Sequence, residues 1–214
     1  MSKKYEFTDE KLEWKGHVLR RIRALQDMEV NGITVHEGDL GGWLEKEENL
    51  SQLSSCWVFD EAKVYDDATV TEDATLRDRA EVFGKAYIHD LAGICGDASV
   101  FGCAEISGNC VVSGHSKIYD HARIYGEAKV FEKTHVFGHA QIHGHAWVEA
   151  NCSINNHVNI YGSAHVKGEG SIFGYAQICK DIKEPSPFFI TEPAEDTGWI
   201  KGLEKKQPEE LHAF

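Results

Sequence analysis

The chain has 214 residues, 42% of them hydrophobic and 27% charged, enough to bury a core as one large or two small domains. No apolar run approaches the ~18 residues of a membrane span, and Met1 to Glu10 is polar rather than signal-like, so a cytoplasmic protein without a membrane partner is expected. The net charge of −13 disfavours a nucleic-acid polymer as partner, because neutralising phosphates takes a surplus of Lys and Arg.

Residues 1–50 lack a short repeat. Lys15-Gly16 separates Leu12-Glu13-Trp14 from a stretch in which Val18, Arg20, Ile22 and Ala24 alternate, which predicts a β-hairpin. Such a hairpin would cap whatever follows. Alternation sets Arg21 and Arg23 on one side, where they can hold an anionic group or pair with neighbouring acids.

Residues 51–180 are built on a period of six. An aliphatic residue stands at every sixth position from Val58 through Ile118 to Ile178, 21 times without a slip, and two residues before each stands a small one, usually Ala. A helix would repeat its apolar positions at three and four, so the period predicts short strands. The small and aliphatic residues lie two apart and both face inward, and turn formers such as Phe101-Gly102 and Tyr125-Gly126-Glu127 then rotate the chain. Three hexads make a triangular coil of 18 residues, so the 21 hexads predict about seven coils. The expected architecture is all-β, a parallel β-helix with an N-terminal hairpin cap. Residues 181–214, which hold all four prolines, are expected to form an irregular tail packing on the last coil or on a neighbouring subunit.

Hexads such as Ala122-Arg123-Ile124-Tyr125-Gly126-Glu127 resemble those of the hexapeptide-repeat superfamily, whose members fold as left-handed parallel β-helices. Gly38-Asp39-Leu40-Gly41-Gly42-Trp43-Leu44-Glu45, followed by the Ala-x-Val-Tyr/Phe-Gly hexads, is similar to the YdcK-type repeat proteins of bacteria and phages, often labelled transferases. The resemblance implies a left-handed coil and a homotrimer.

Positions 18 apart stack above one another. One outward column reads Tyr65, Phe83, Phe101, Tyr119, Phe137, Asn155 and Phe173, whereas the equivalent columns of the other faces are mixed. An apolar stripe confined to one face of a soluble protein usually meets something, here an oligomer partner or a ligand. The corner after the stripe carries Cys103, His121, His139 and His157. Cys103, His121 and His139 are weak metal candidates, because steps of ~4.8 Å let few neighbours converge on one ion.

Two functional readings follow. The first is a non-catalytic binding or assembly protein, in which the stripe together with Lys85 and Lys117 suits stacking and charge contacts with a nucleotide-like ligand. With the phage-like resemblance, this reading includes a protein that sequesters a small anionic ligand or blocks a host defence protein in the host cytoplasm. The second, implied by the superfamily, is an acyl-coenzyme A-dependent acyltransferase in which His121, His139 or His157 serves as general base. Against it, the 21 hexads run without the interrupting loop that such enzymes commonly carry.

Cys56, Cys110 and Cys152 fall in the small inward slots and are expected to be reduced, buried thiols; no CxxC pair is present. The acidity is concentrated at the ends. Residues 1–73 carry 17 acids against 9 bases, residues 74–180 carry 10 against 9, and residues 181–214 carry 8 against 4. The repeat body is thus nearly neutral, unlike a protein that imitates DNA along its length.

Overall fold

The computed structural model describes residues 3–183 and 188–191. Each hexad forms a strand of mostly two residues followed by a corner whose first residue has φ between about +50° and +80°, as at Asp66 (56°), Gly84 (70°), Gly102 (70°) and Asp120 (59°). That left-handed conformation costs an L side chain roughly 1–2 kcal/mol, and Gly, Asp and Asn bear it best. Gly, Asp, Asn or Glu therefore recurs at every sixth residue from Asp60 to Gly144, and the chain bends through three faces per turn.

Face I stacks the strands containing Lys63, Glu81, Ser99, Lys117, His135, Ser153 and Ser171, each paired in parallel with the residue 18 further on. Face II runs from Thr69–Val70 to Gln177–Ile178, and face III from Trp57–Val58 to His165–Val166, in the same register. The predicted aliphatic and small residues fill the prism, from Val58 and Ala62 to Ala176 and Ile178, at 0–1% exposure for nearly all of them. Val158, bulkier than its slot requires, is accommodated at 0%.

The solenoid is longer than the hexads alone suggest, about eight turns. Strand β1 (Tyr5–Trp14) and β2 (His17–Ala24) form the expected antiparallel hairpin, followed by a small hairpin of β3 (Met28–Val30) and β4 (Ile33–Val35). Strand β5 (Leu40–Leu44), inside the expected cap, is already a rung: Trp43 pairs with Lys63 and Leu44 with Val64 in parallel, while β2 pairs with β5 from the other side. Gly41 and Gly42 are needed there, since a Cβ would lie 2.8 Å from the Trp57 ring at the first and 2.6 Å from Val58 at the second. At the other end, Ile182–Lys183 and Phe188–Ile190 add parallel strands to His165–Ile172, so the start of the expected tail continues the coil. Trp199-Ile200 and the rest of that tail lie outside the described residues.

The hairpin does more than close an end. Its tip folds over the start of face I: Trp14 Nε1 donates to Glu81 at 3.4 Å, Lys15 pairs with Glu81 at 2.7 Å, and the Lys63 ammonium sits 4.5 Å from the Trp14 ring centre. Leu19, Trp43 and Tyr65 form a second apolar cluster against which Leu12, Trp14 and Phe83 pack.

The corner acids bind the next coil. Asp60 accepts the backbone N–H of Asp78 at 3.0 Å, Asp66 that of Gly84 at 3.1 Å, Asp78 that of Gly96 at 2.8 Å, and Asp90 that of Gly108 at 2.7 Å. A carboxylate accepting an N–H makes one of the stronger protein hydrogen bonds. The acidic corners of the first coils are thus inter-coil fasteners.

Candidate functional site

One corner of the prism departs from the pattern. Ala150 occupies a position that Gly, Asp, Asn or Glu fills in the preceding coils, and its φ is not positive. Without the left-handed turn, faces III and I run together as a single strand, Trp147–Ile154, with Val148, Ala150, Cys152 and Ile154 facing in. The next coil repeats this over His165–Ile172, where Gly168 and Gly170 have φ of 122° and 158°. Beside this flattened corner a cleft of about 540 Å³ is lined by His115, Lys117, Lys133, His135, Asn151, Cys152, Ser153 and Gly170.

The lining carries donors and cations and no carboxylate. Lys117 and Lys133 are exposed and enter no ion pair among the described residues. Asp97, 3.5 Å from His115 Nδ1, is already held by Arg79 through contacts of 2.6 and 2.8 Å, and Glu169 lies one rung beyond Asn151. Partial burial, and then the charge of Lys117, lower the pKa of His135. Cys152 is a floor for the cleft rather than a nucleophile, because burial pushes its thiol up to about 12. The chemistry this favours is charge-assisted hydrogen bonding to an anion.

Beside the cleft on face I runs the aromatic column. Tyr65, Phe83, Phe101, Tyr119 and Phe137 stack with centroids 4.8–4.9 Å apart and planes within 5°. The rings spend their faces on each other. Tyr65 is 2% exposed, meets the His17 ring at 4.9 Å in a tilted contact of 43° and donates to Glu81 at 3.0 Å, so the chain's own hairpin meets the first part of the stripe. Phe173 belongs to the column, but Asn155 separates it from Phe137.

The expected site residues sort as follows. Lys117 lines the cleft, whereas Lys85 stands at the opposite corner of face I, where it helps hold the Asp67 carboxyl below its usual pKa, second to Lys46. His121, His139 and His157 form an exposed ladder with Tyr175 at 5.1 Å steps, and no side-chain hydrogen bond or ion pair among the described residues orients them. Cys103 stands exposed one rung before His121. Among the described residues, the two groups of three that converge within 4.8 Å are His17, Glu45 and Asp66, and Glu72, His89 and Asp90, neither of which includes Cys103, His121 or His139. Arg21 is paired with Glu61 at 2.8 Å and lies 5.1 Å from the Trp43 ring centre, and Arg23 is paired with Glu6, so both guanidinium groups already hold carboxylates. The six cysteines are free, with Cys56, Cys110 and Cys152 buried as expected.

No protein-family model matches the chain, and a search of curated proteins finds no relative. Among the described residues no helix is long and apolar enough to cross a membrane. His115, Lys133, His135, Asn151 and Ser153 were not legible as a site, because they come from three successive coils and two outward columns, with Cys152 facing inward beneath them. The one visible signal was Ala150 in a series otherwise filled by turn formers.

Proposed function

We propose that this protein is a non-catalytic binding protein, a β-solenoid that takes a small anionic, nucleotide-like ligand in the cleft of face I. The observation that carries this reading is the lining itself: two lysines without ion pairs among the described residues, and two histidines, around one concavity with no carboxylate in its lining. Four convergent donors suit a phosphate, and the neighbouring aromatic column suits an aromatic part of the same ligand. A homotrimer is part of the proposal, since the ring edges from Phe101 to Phe137 lie beyond the hairpin contacts that cover Tyr65 and Phe83.

The acyltransferase reading is less well supported. A general base is normally oriented by a further group, and His121, His139 and His157 have no such partner among the described residues. Calorimetry with a panel of mononucleotides, inorganic pyrophosphate and acyl-coenzyme A separates the two. Saturable heat with phosphorylated ligands and no turnover supports the binding protein. Heat confined to acyl-coenzyme A, accompanied by acyl transfer to an amine or hydroxyl acceptor, would replace it with the enzyme.

A further inference from the structure

The aromatic column of face I is missing one ring. Phe137 donates its backbone N–H to Ile154, Asn155 to Ile172 and Phe173 to Ile190, so the three occupy successive coils of one column. In the other direction the rings from Phe137 back to Tyr65 are continuous, and His17 closes the far end. Phe137 therefore has one ring face that no ring among the described residues covers. Adjacent coils are about 4.8 Å apart, so Phe137 and Phe173 stand about 9.6 Å apart across the Asn155 notch. A planar ring entering at the Asn155 level would lie about one coil step from each, the spacing that the protein's own rings keep at 4.8 Å.

Asn155 is a suitable floor for such a slot. Its side chain is half-buried and makes no hydrogen bond among the described residues, leaving an amide that both donates and accepts. A hydrocarbon ring would leave that amide unsatisfied, whereas the heteroatom edge of a nucleobase would satisfy it. Ser153, two residues earlier near the end of the strand Trp147–Ile154, lines the cationic cleft. The strand rise puts the two positions about 6.6 Å apart, a separation a pentose can span.

We infer that the notch at Asn155 between Phe137 and Phe173 is a slot for a heteroaromatic base whose attached phosphate lies in the cleft with Lys117, Lys133 and His135. The inference rests on the anion-binding reading of the cleft and specifies its ligand as a nucleotide. Stacking of a base on protein rings changes affinity on the order of 5- to 150-fold.

The test compares adenosine 5′-monophosphate, guanosine 5′-monophosphate, uridine 5′-monophosphate and ribose 5-phosphate by calorimetry on the full chain and on Asn155→Phe. That substitution completes the ring column, so the variant keeps or raises the melting temperature and its fold can be checked independently. At least one nucleotide should bind wild type five-fold or more tightly than ribose 5-phosphate, and Asn155→Phe should reduce it to the affinity of ribose 5-phosphate, itself unchanged. Nucleotides that bind no better than ribose 5-phosphate, or that bind Asn155→Phe as tightly as wild type, overturn the slot while the anion cleft stands. If neither class binds at millimolar concentration, both fall. Asn155→Ala, which keeps the notch open but removes the amide, should retain most of the ring contribution; equal losses in the two variants would also overturn the slot.

Discussion

The corner geometry makes opposite predictions for one substitution at two nearby glycines. Gly108 sits at a corner with φ of +72°, and a Cβ there would lie 2.8 Å from the backbone N of Gly126 on the next coil and closer still to its carbonyl oxygen. Gly93 lies in a strand of face III, its φ is not in the left-handed region, and its Cβ would meet the Thr75 hydroxyl at an ordinary 3.6 Å. Gly108→Ala incurs roughly 1–2 kcal/mol for the left-handed conformation. The contact with backbone that is itself hydrogen-bonded to Asn109 adds a comparable amount, for about 3 kcal/mol in all. Gly93→Ala loses nothing in the native state and narrows the unfolded ensemble, so it should stabilise by about 0.4–1 kcal/mol. Urea denaturation followed by far-ultraviolet circular dichroism reads both from the transition midpoints, and amide hydrogen exchange at residues 105–112 checks that the loss at Gly108 is local. Equal destabilisation by the two, or a neutral Gly108→Ala, would refute the assignment of left-handed corners to this hexad phase.

Lys117→Ala and Lys133→Ala should each weaken binding of the phosphorylated ligand about tenfold, at the low end for a charge-assisted hydrogen bond because both are solvent-exposed, whereas Lys85→Ala should leave it unchanged. In native protein at pH 8, an alkylating thiol reagent should modify exposed Cys103 and Cys179 within minutes and leave Cys110 and Cys152, whose thiols burial pushes up to about 12, unmodified until unfolding. Asp90 has its carboxyl lowered, first by the Gly108 N–H that it accepts, and Asp97 by Arg79. A depressed native pKa contributes stability that is complete above the unfolded value of about 3.9 and is lost as pH falls through the native one. The midpoint should therefore hold steady from pH 7 to 5 and drop below about pH 4, with a smaller drop in Asp90→Asn; an unchanged acid profile in that variant would contradict the fastener role. Light scattering of purified protein should give the mass of three chains, and a monomer across the micromolar range would remove the trimer.

The prism was legible because a period of six dictates, residue by residue, which side chains point inward, and no long-range choice competes with it. What escaped depends on pairs of residues 18 apart. In the sequence Asp60 and Asp66 count only towards the acidity of residues 1–73, yet each holds a backbone N–H of the following coil. The hairpin was visible as a strand pair, but the curl that lays Trp14 and His17 over Glu81 and Tyr65 depends on tertiary packing. Lys117 was visible as a cation near the aromatic column. Its grouping with Lys133, His115 and His135 required the flattened corner at Ala150, a substitution of one small residue for another by sequence alone.

The most direct test of the anion cleft follows the imidazole resonances of the chain's 12 histidines during titration with the mononucleotide that binds best. The signals of His115 and His135 should move saturably with a common dissociation constant, while those of His17, His36 and His89, remote from the cleft, stay still. Saturable shifts confined to other histidines, or none at ligand concentrations well above the calorimetric dissociation constant, would contradict the placement of the ligand in this cleft.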